Sequence, residues 1–201
     1  MRGTIRPGYI LIVIIDNYDS FTYNLFQYAS EFYSNILILK NDDPQIDLLA
    51  INEIKAFIFS PGPGHPKFSG KMPMLINTYY KKIPMLGICL GHQAIIENFG
   101  GVIINASNIC HGKVHKIKHY SNSVIFDGVN THFHATRYHS LVASKENFPE
   151  CFKISATTVL DDEIMAIQHV KYPIFGLQFH PESIETQSGS RMIENFIRVI
   201  N

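Results

Sequence analysis

The sequence predicts an α/β fold with an open, mostly parallel central sheet flanked by helices, and a smaller antiparallel side layer in the C-terminal half. Two observations predict the parallel part. In the first hundred residues, short β-branched runs alternate with longer helical patterns, and these runs are continuously apolar. Continuous apolarity is typical of strands buried on both faces, as in a parallel sheet. Beyond residue 101, short strand-like segments separated by turn residues predict the antiparallel part.

The predicted elements of the first half follow from the local sequence. Four apolar runs are predicted strands: 9–15, 36–39, 56–59 and 83–88. A helix is predicted after the first strand, with Asp19 and Ser20 as capping candidates, because apolar side chains recur there at helical spacing: Phe21, Leu25, Tyr28, Ala29, Phe32 and Tyr33. Asp43-Pro44 opens the second connection, 72–82 fills the third, and a helical pattern over 92–99 follows the fourth strand. This alternation is typical of βαβ units.

The second half is predicted to extend the sheet with antiparallel strands. Six short segments are predicted strands: 112–119, 123–126, 131–138, 151–158, 163–169 and 174–179. The chain closes with a predicted amphipathic helix, whose apolar stripe comprises Met192, Ile193, Phe196, Ile197 and Ile200. Because no repeat, linker or low-complexity stretch interrupts the pattern, we expect one domain.

The composition argues against several functional classes. The 201 residues include 17 basic and 17 acidic side chains, so no net charge draws the chain to nucleic acid or to an anionic membrane. Three cysteines are too few for a disulfide framework and favour a reducing compartment. The apolar run 9–15 is short and is followed by acidic residues rather than by a signal-peptide cleavage site. We therefore expect a cytoplasmic protein that binds neither nucleic acid nor a membrane.

The sharpest local motif is Gly87-Ile88-Cys89-Leu90-Gly91, which lies between a predicted strand and a predicted helix. It has the layout of the nucleophile elbow G-x-S-x-G, with cysteine in place of serine. The glycines are needed because the nucleophile sits on a strained turn where the backbone passes closely. The helix N-terminus favours a thiolate, and the N–H of Leu90 would point at a developing oxyanion. The alternative is a small buried cysteine in a glycine-rich bend.

A thiolate nucleophile needs a base, and the base needs a group that orients it. Of ten histidines, His180 is the best placed, because it follows the predicted strand 174–179. Functional residues of an α/β sheet gather beyond the carboxyl ends of the strands, where Cys89 also lies. Glu182 is two residues further on and can accept a hydrogen bond from the imidazole. Taken alone, His-Pro-Glu would be an ordinary surface turn.

A third motif, Ser60-Pro61-Gly62-Pro63-Gly64-His65-Pro66, directly follows the predicted strand 56–59. It is not a phosphate-binding loop, because Lys67 stands where G-x-G-x-x-G needs its third glycine and Met72 stands where a P-loop needs serine or threonine. We expect a rigid turn that presents backbone N–H groups beside the elbow, with a plain connecting turn as the alternative.

No metal site is predicted. His111, His115 and His119 share one face of a strand or helix, and His132 and His134 could add ligands, but no cysteine pair has ligand spacing. A basic run at Lys113, Lys116 and Lys118 lacks interleaved aromatic residues, so it predicts a solvated strand face rather than an RNA site.

Taken together, these motifs resemble those of the class I (triad-type) glutamine amidotransferases, and more narrowly the glutaminase component of anthranilate synthase and of aminodeoxychorismate synthase. The matching stretches are 16–25, 60–66, 87–95, 111–113, 137–141 and 176–184. They occur in the family's order along nearly the whole chain. The resemblance implies one amidotransferase domain over residues 1–201, with residues 1–8 as an N-terminal extension.

The resemblance also implies the roles of individual residues. Cys89 is the nucleophile, and His180 and Glu182 complete the triad. Glutamine and its oxyanion are held by the turn and by the elbow's surroundings: Gly62, Pro63, Gly64, Leu90, Gln93, Ser140 and Leu141. The family requires no metal and no cofactor on this chain.

Ammonia released from glutamine needs an acceptor, and the resemblance implies that the partner is a chorismate-binding synthase subunit. His111, Gly112, Lys113 and Arg137 are expected near that interface. Two alternatives stay open at this point: a stand-alone thiol hydrolase of γ-glutamyl compounds or peptides, and a non-catalytic binding module. Modules of the second kind usually lack a triad member, whereas Cys89, His180 and Glu182 are all present.

Overall fold

A mixed sheet of nine strands organises residues 10–201, the part of the chain that this computed structural model describes. The predicted extension, residues 1–8, lies outside the described residues, as does residue 9 of the first predicted strand. The strands are β1 (Leu11–Asp16), β2 (Ile36–Lys40), β3 (Ile54–Phe59), β4 (Met85–Ile88), β5 (Ile103–Asn105), β6 (Lys113–His119), β7 (His132–Arg137), β8 (Leu141–Ala143), β9 (Phe152–Thr158), β10 (Ile164–His169) and β11 (Ile174–Leu177).

The strand order in the large sheet is β2-β1-β3-β4-β11-β10-β9-β6-β7. The first five strands of this order are parallel, and each later strand pairs antiparallel with its neighbour. Strands β5 and β8 form a separate antiparallel pair. The predicted fold class is therefore confirmed, including the antiparallel extension and the small side layer.

Helices cover both faces of the sheet. They are α1 (Thr22–Ser30), α2 (Met72–Tyr79), α3 (Leu90–Asn98) and α4 (Gly189–Ile200). One apolar cluster joins Ile12 and Ile14 of β1 to α1 and α4, and a second joins Val13 and Ile15 to α2 and α3. Alternate residues of β1 thus face opposite layers, which explains why the run is apolar throughout. No helix within residues 10–201 is long and apolar enough to cross a membrane.

Three details of the sequence-based prediction are corrected. The segment 123–126 is not a strand: Val124–Phe126 forms a 3-10 helix packed against α4, because a short apolar run fits either conformation. Asp19 and Ser20 do not cap α1, whose N-cap position is Phe21; Asp19 instead accepts a hydrogen bond from the Phe21 N–H, at 2.8 Å. Strands β5 and β8 were not predicted, since each has only three residues.

The apolar stripe of α4 provides a test of the core. Phe196 is fully buried and lies edge-on to Phe175, with ring centroids 6.1 Å apart. We expect Phe196→Ala to lower the free energy of unfolding by about 3–5 kcal/mol, because it removes apolar contacts and leaves a cavity. The matched control is Val199→Ala on the exposed side of the same helix, with an expected change of about 0.5 kcal/mol. Urea denaturation measures both, and equal losses would contradict this packing.

Candidate active site

Cys89 occupies a sharp turn between β4 and α3. Its backbone has φ +50° and ψ −99°, a conformation that L-residues rarely adopt and that is typical of strained functional sites. A Cβ atom on Gly87 would lie 2.4 Å from the carbonyl carbon of Gly91, and one on Gly91 would lie 2.5 Å from the carbonyl oxygen of Phe59. Both glycines are therefore required sterically, and the structure has the nucleophile elbow that the sequence predicts.

His180 and Glu182 follow β11, the strand beside β4, and both are buried. The Nδ1 atom of His180 lies 2.7 Å from Oε1 of Glu182, so an ionised Glu182 accepts the Nδ1 proton and orients the ring. Burial alone would lower the pKa of His180, but hydrogen bonding and charge from Cys89 and Glu182 raise it above its ordinary value. The arrangement favours a thiolate–imidazolium pair.

The free edge of this pair is the Nε2 atom of His180. It is buried and has no hydrogen-bond partner within the described residues. The rings of Phe21 and Tyr138 pack edge-on against the imidazole, with centroids 5.6 and 4.9 Å from its centroid. These two aromatic side chains hold the ring in place. Sequence analysis gave neither residue a role in the site, although both lie in matching stretches.

A cavity of about 110 Å³ opens beside Cys89. The predicted glutamine-binding positions that line it are Gly62, Pro63, Gly64, Gln93, Ser140 and Leu141, and Tyr138 and His139 complete the wall. The remaining predicted position, Leu90, is the first residue of α3 and has a buried side chain. Leu90 can therefore contribute to the site only through its backbone.

The turn containing Gly62 is held by Asn17, which sequence analysis did not place in the site. The Asn17 N–H donates to Oγ of Ser60 at 2.8 Å, and its side-chain amide donates to the Ser60 carbonyl at 2.9 Å. Asn41 in turn donates to Oδ1 of Asn17 at 2.9 Å. A Cβ atom on Gly62 would lie 2.5 Å from Cβ of Asn17, so only glycine fits this packing. A polar residue directly after a buried strand was the available sequence signal.

A second residue missed from the sequence is Gln178, which is fully buried. Its Nε2 atom donates to Sγ of Cys89 at 3.6 Å, and its Oε1 atom accepts from Nε2 of Gln93 at 3.1 Å. The same Gln93 nitrogen donates to the carbonyl of Leu141 at 2.9 Å. Two carboxamides thus connect the sulfur to the cavity wall.

The predicted interface residues separate into two groups. His111, Gly112 and Lys113 are exposed, so they remain available to a partner. Arg137 is only 1% exposed: it pairs with Glu163, and its Nε donates to a ring nitrogen of the His139 side chain at 3.0 Å. The prediction that Arg137 contacts a partner is wrong, because its guanidinium is committed to this internal cluster.

The histidines considered as metal ligands do not converge. His119 is buried and stacked on Phe126, whereas His111 is exposed. Within residues 10–201, no group of three or more histidine, cysteine, aspartate or glutamate side chains is arranged to hold a metal ion.

Comparison with known proteins agrees with this geometry. The family model "Glutamine amidotransferase class-I" matches residues 13–200. Anthranilate synthase component 2 of Lactococcus lactis subsp. lactis (strain IL1403) is 47% identical over 191 residues, covering 95% of this chain and 96% of that protein. Aminodeoxychorismate/anthranilate synthase component 2 of Bacillus subtilis (strain 168) is 44% identical over 187 residues, covering 93% and 95%.

A solved structure shows the same fold. The crystal structure of a putative GMP synthase protein from Thermoplasma acidophilum superposes with a TM-score of 0.83 and 24% identity, covering 97% of this chain and 96% of that one. The family match spans most of the chain and includes the elbow, the turn and the segment carrying His180. This protein belongs to the class I glutamine amidotransferases.

Proposed function

We propose that this chain is the glutaminase subunit of a chorismate-converting synthase. It hydrolyses L-glutamine to glutamate and passes the ammonia to a partner subunit that makes anthranilate, 4-amino-4-deoxychorismate, or both. The observation that carries the proposal is the contact of Glu182 with His180, at 2.7 Å, beside a strained elbow cysteine that lines a small polar cavity. Relatives named as component 2 of the two synthases support the choice of pathway.

The proposed reaction begins when the Cys89 thiolate attacks the side-chain amide carbon of glutamine. The N–H groups of Leu90 and of the Gly62–Gly64 turn stabilise the oxyanion that forms. The imidazolium of His180 then gives its proton to the departing nitrogen, which leaves as ammonia and a γ-glutamyl thioester remains. His180, now neutral, deprotonates a water molecule that attacks the thioester, and glutamate leaves with the thiolate restored.

The hydrogen bonds of the cavity wall suit glutamine. Both observed partners of the Gln93 amide nitrogen are internal, so Gln93 presents its carbonyl oxygen to a ligand and favours an N–H donor. The carbonyl of Leu141 already accepts from Gln93, and that of Ser140 accepts from the Ala106 N–H at 2.8 Å. This loop therefore favours a ligand that accepts hydrogen bonds. An amino acid carries both kinds of group, an ammonium and a carboxylate.

The exposed segment 111–113 is the proposed contact with the synthase subunit. His111 lies edge-on to Tyr138, with ring centroids 5.8 Å apart, and a Cβ atom on Gly112 would approach that ring to 3.3 Å. Tyr138 in turn packs on His180 and lines the cavity. A partner seated on 111–113 would thus lie one side chain away from the triad.

The proposed steps need no metal and no nucleotide. We therefore expect no cofactor on this chain, no nucleic-acid or membrane partner, and a place in the cytoplasm beside the synthase subunit.

Replacement of the nucleophile tests the function. We expect Cys89→Ser, assayed with the synthase subunit, to lower glutamine-dependent product formation by at least about 10³-fold, since it removes the thiolate, while synthesis from ammonium salts is kept. Cys151→Ser, at a half-buried cysteine outside the cavity lining, is the control and should keep both activities. Equal loss with both nitrogen donors would assign Cys89 a structural role, and partner-independent peptide cleavage would favour a stand-alone hydrolase.

The role of Glu182 can be read from a pH profile. Its carboxylate raises the pKa of His180, so Glu182→Gln should lower that pKa, and the imidazolium should be lost at lower pH. The alkaline limb of the kcat profile for glutaminase activity should therefore move down by about 1–3 pH units. Glu185→Gln, an exposed neighbour on the same segment, is the matched control. An alkaline limb that stays in place in Glu182→Gln would mean that Glu182 does not govern His180.

The interface can be tested by charge reversal. We expect Lys113→Glu to weaken binding of the synthase subunit by about 3- to 30-fold, since an opposed charge at a contact costs about 1–2 kcal/mol. The control is Lys82→Glu, an exposed lysine that precedes β4 and so lies at the opposite edge of the sheet from Cys89. Sedimentation or surface-binding measurements with the purified partner decide it. Indistinguishable affinities of the two variants would remove 111–113 from the interface.

A further inference from the structure

The buried side chain of Gln178 is not used in the reaction proposed above, although it contacts the nucleophile. We infer that Gln178 is a positioning residue, which holds the Cys89 sulfur at the cavity and stabilises its thiolate by donating a hydrogen bond. The inference rests on the proposed function, in that Cys89 is taken as the nucleophile. Three features carry it: the orientation of the amide, its anchorage to the sheet, and the burial of the sulfur.

The orientation of the Gln178 amide follows from its neighbours. The Leu141 carbonyl can only accept a hydrogen bond, so the group of Gln93 that faces it, at 2.9 Å, is the amide nitrogen. That nitrogen also lies 3.1 Å from the amide of Gln178, so the Gln178 oxygen must face Gln93. The Gln178 nitrogen is then left against Sγ of Cys89, at 3.6 Å. The reverse orientation would bring two N–H donors together in a buried site.

The backbone fixes the position of Gln178 relative to the sulfur. The N–H of Gln178 donates to the Met165 carbonyl on β10 at 2.9 Å, and the N–H of Cys89 donates to the Leu177 carbonyl at 2.8 Å. Both residues are thus tied to β11 and its neighbours by hydrogen bonds of about the same length. The side-chain contact is therefore built on rigid strands rather than on a mobile loop.

The sulfur needs such a donor because Cys89 is only 7% exposed. A thiolate buried to this degree loses most of its hydration, and a hydrogen bond to the charged form replaces part of it. A carboxamide supplies the hydrogen bond without a proton that titrates. His180 can then transfer protons while Gln178 keeps the sulfur in place.

The same contacts link the sulfur to the wall of the cavity. Leu141 lines the cavity, its carbonyl binds Gln93, and Gln93 binds Gln178. A ligand that orders the loop at Leu141 would therefore also order the donor to the sulfur. This connection runs through hydrogen bonds alone and does not involve His180.

Two variants of the full chain separate the donated hydrogen bond from mere packing. Gln178→Met keeps the length of the side chain and removes the N–H, whereas Gln178→Glu keeps an acceptor for Gln93 and puts a negative charge against the sulfur. The control is Gln168→Met, the same substitution on β10, outside the cavity lining. Thermal unfolding of all three variants checks that they are folded.

The main measurement is the rate of alkylation of Cys89 by iodoacetamide as a function of pH, read from the Cys89 peptide by mass spectrometry. Burial raises the pKa of the Cys110 and Cys151 thiols, so they react at higher pH and on other peptides. In Gln178→Met we expect the midpoint of the rate profile to rise by about one pH unit, the size of a hydrogen bond to a charged group. In Gln178→Glu it should rise further.

Turnover in the complex with the synthase subunit gives a second measurement. We expect the kcat for glutamine of Gln178→Met to fall by about 10-fold at neutral pH, with KM changed by less than about 3-fold, because the thiolate rather than ground-state binding is lost. Gln168→Met should match the wild-type chain in both assays. A Gln178→Met variant that folds and keeps the wild-type alkylation midpoint would overturn the inference.

Should both Gln178 variants fail to fold, nuclear magnetic resonance of the wild-type chain decides. The side-chain amide signal of Gln178 should shift when Cys89 is alkylated, and a signal that does not respond would overturn the inference. Failure of the proposed function looks different. In that case the wild-type complex makes no glutamate from glutamine, while substitution of Gln178 still moves the alkylation midpoint of Cys89.

Discussion

The parallel pairing of β4 with β11 is the interaction on which the site depends. Gly87 pairs with Gly176 and Ile88 pairs with Leu177, so both strands end at the same edge of the sheet. The hydrogen bond from the Cys89 N–H to the Leu177 carbonyl extends this pairing into the elbow. Residues that are far apart in the sequence become neighbours through backbone contacts alone. A shift of one residue in this register would separate the sulfur from the imidazole.

The site concentrates unfavourable features that the rest of the domain must stabilise. Three ionisable side chains are buried at one edge, and the cysteine among them has a left-handed backbone conformation. Charged groups lose hydration when buried, so each needs a specific partner. Glu182 supplies one for His180, and the buried pair of Arg137 and Glu163 stands behind the cavity loop. Apolar clusters on both faces of the sheet provide the stability that tolerates this arrangement.

What could be predicted from the sequence was local, and what could not depended on distant pairs. The elbow and the His180–Glu182 contact lie within short motifs, so spacing alone pointed to them. Gln178 was missed because its partner sulfur is 89 positions away, and Asn17 because Ser60 is 43 positions away. Arg137 was placed wrongly, since a cationic side chain suggests a surface until its partner on another strand is known. The parallel strands were predictable because burial on both faces leaves a continuous apolar run.

The loop that carries Tyr138 and Leu141 joins three parts of the molecule. Tyr138 contacts His180 on one side and His111 on the other, while the Leu141 carbonyl holds Gln93. The cavity, the triad and the exposed segment 111–113 therefore share one short stretch of chain. Coupling between two binding sites is reciprocal in free energy. If a partner on 111–113 changes the affinity for glutamine through this loop, glutamine must change the affinity for the partner by the same factor.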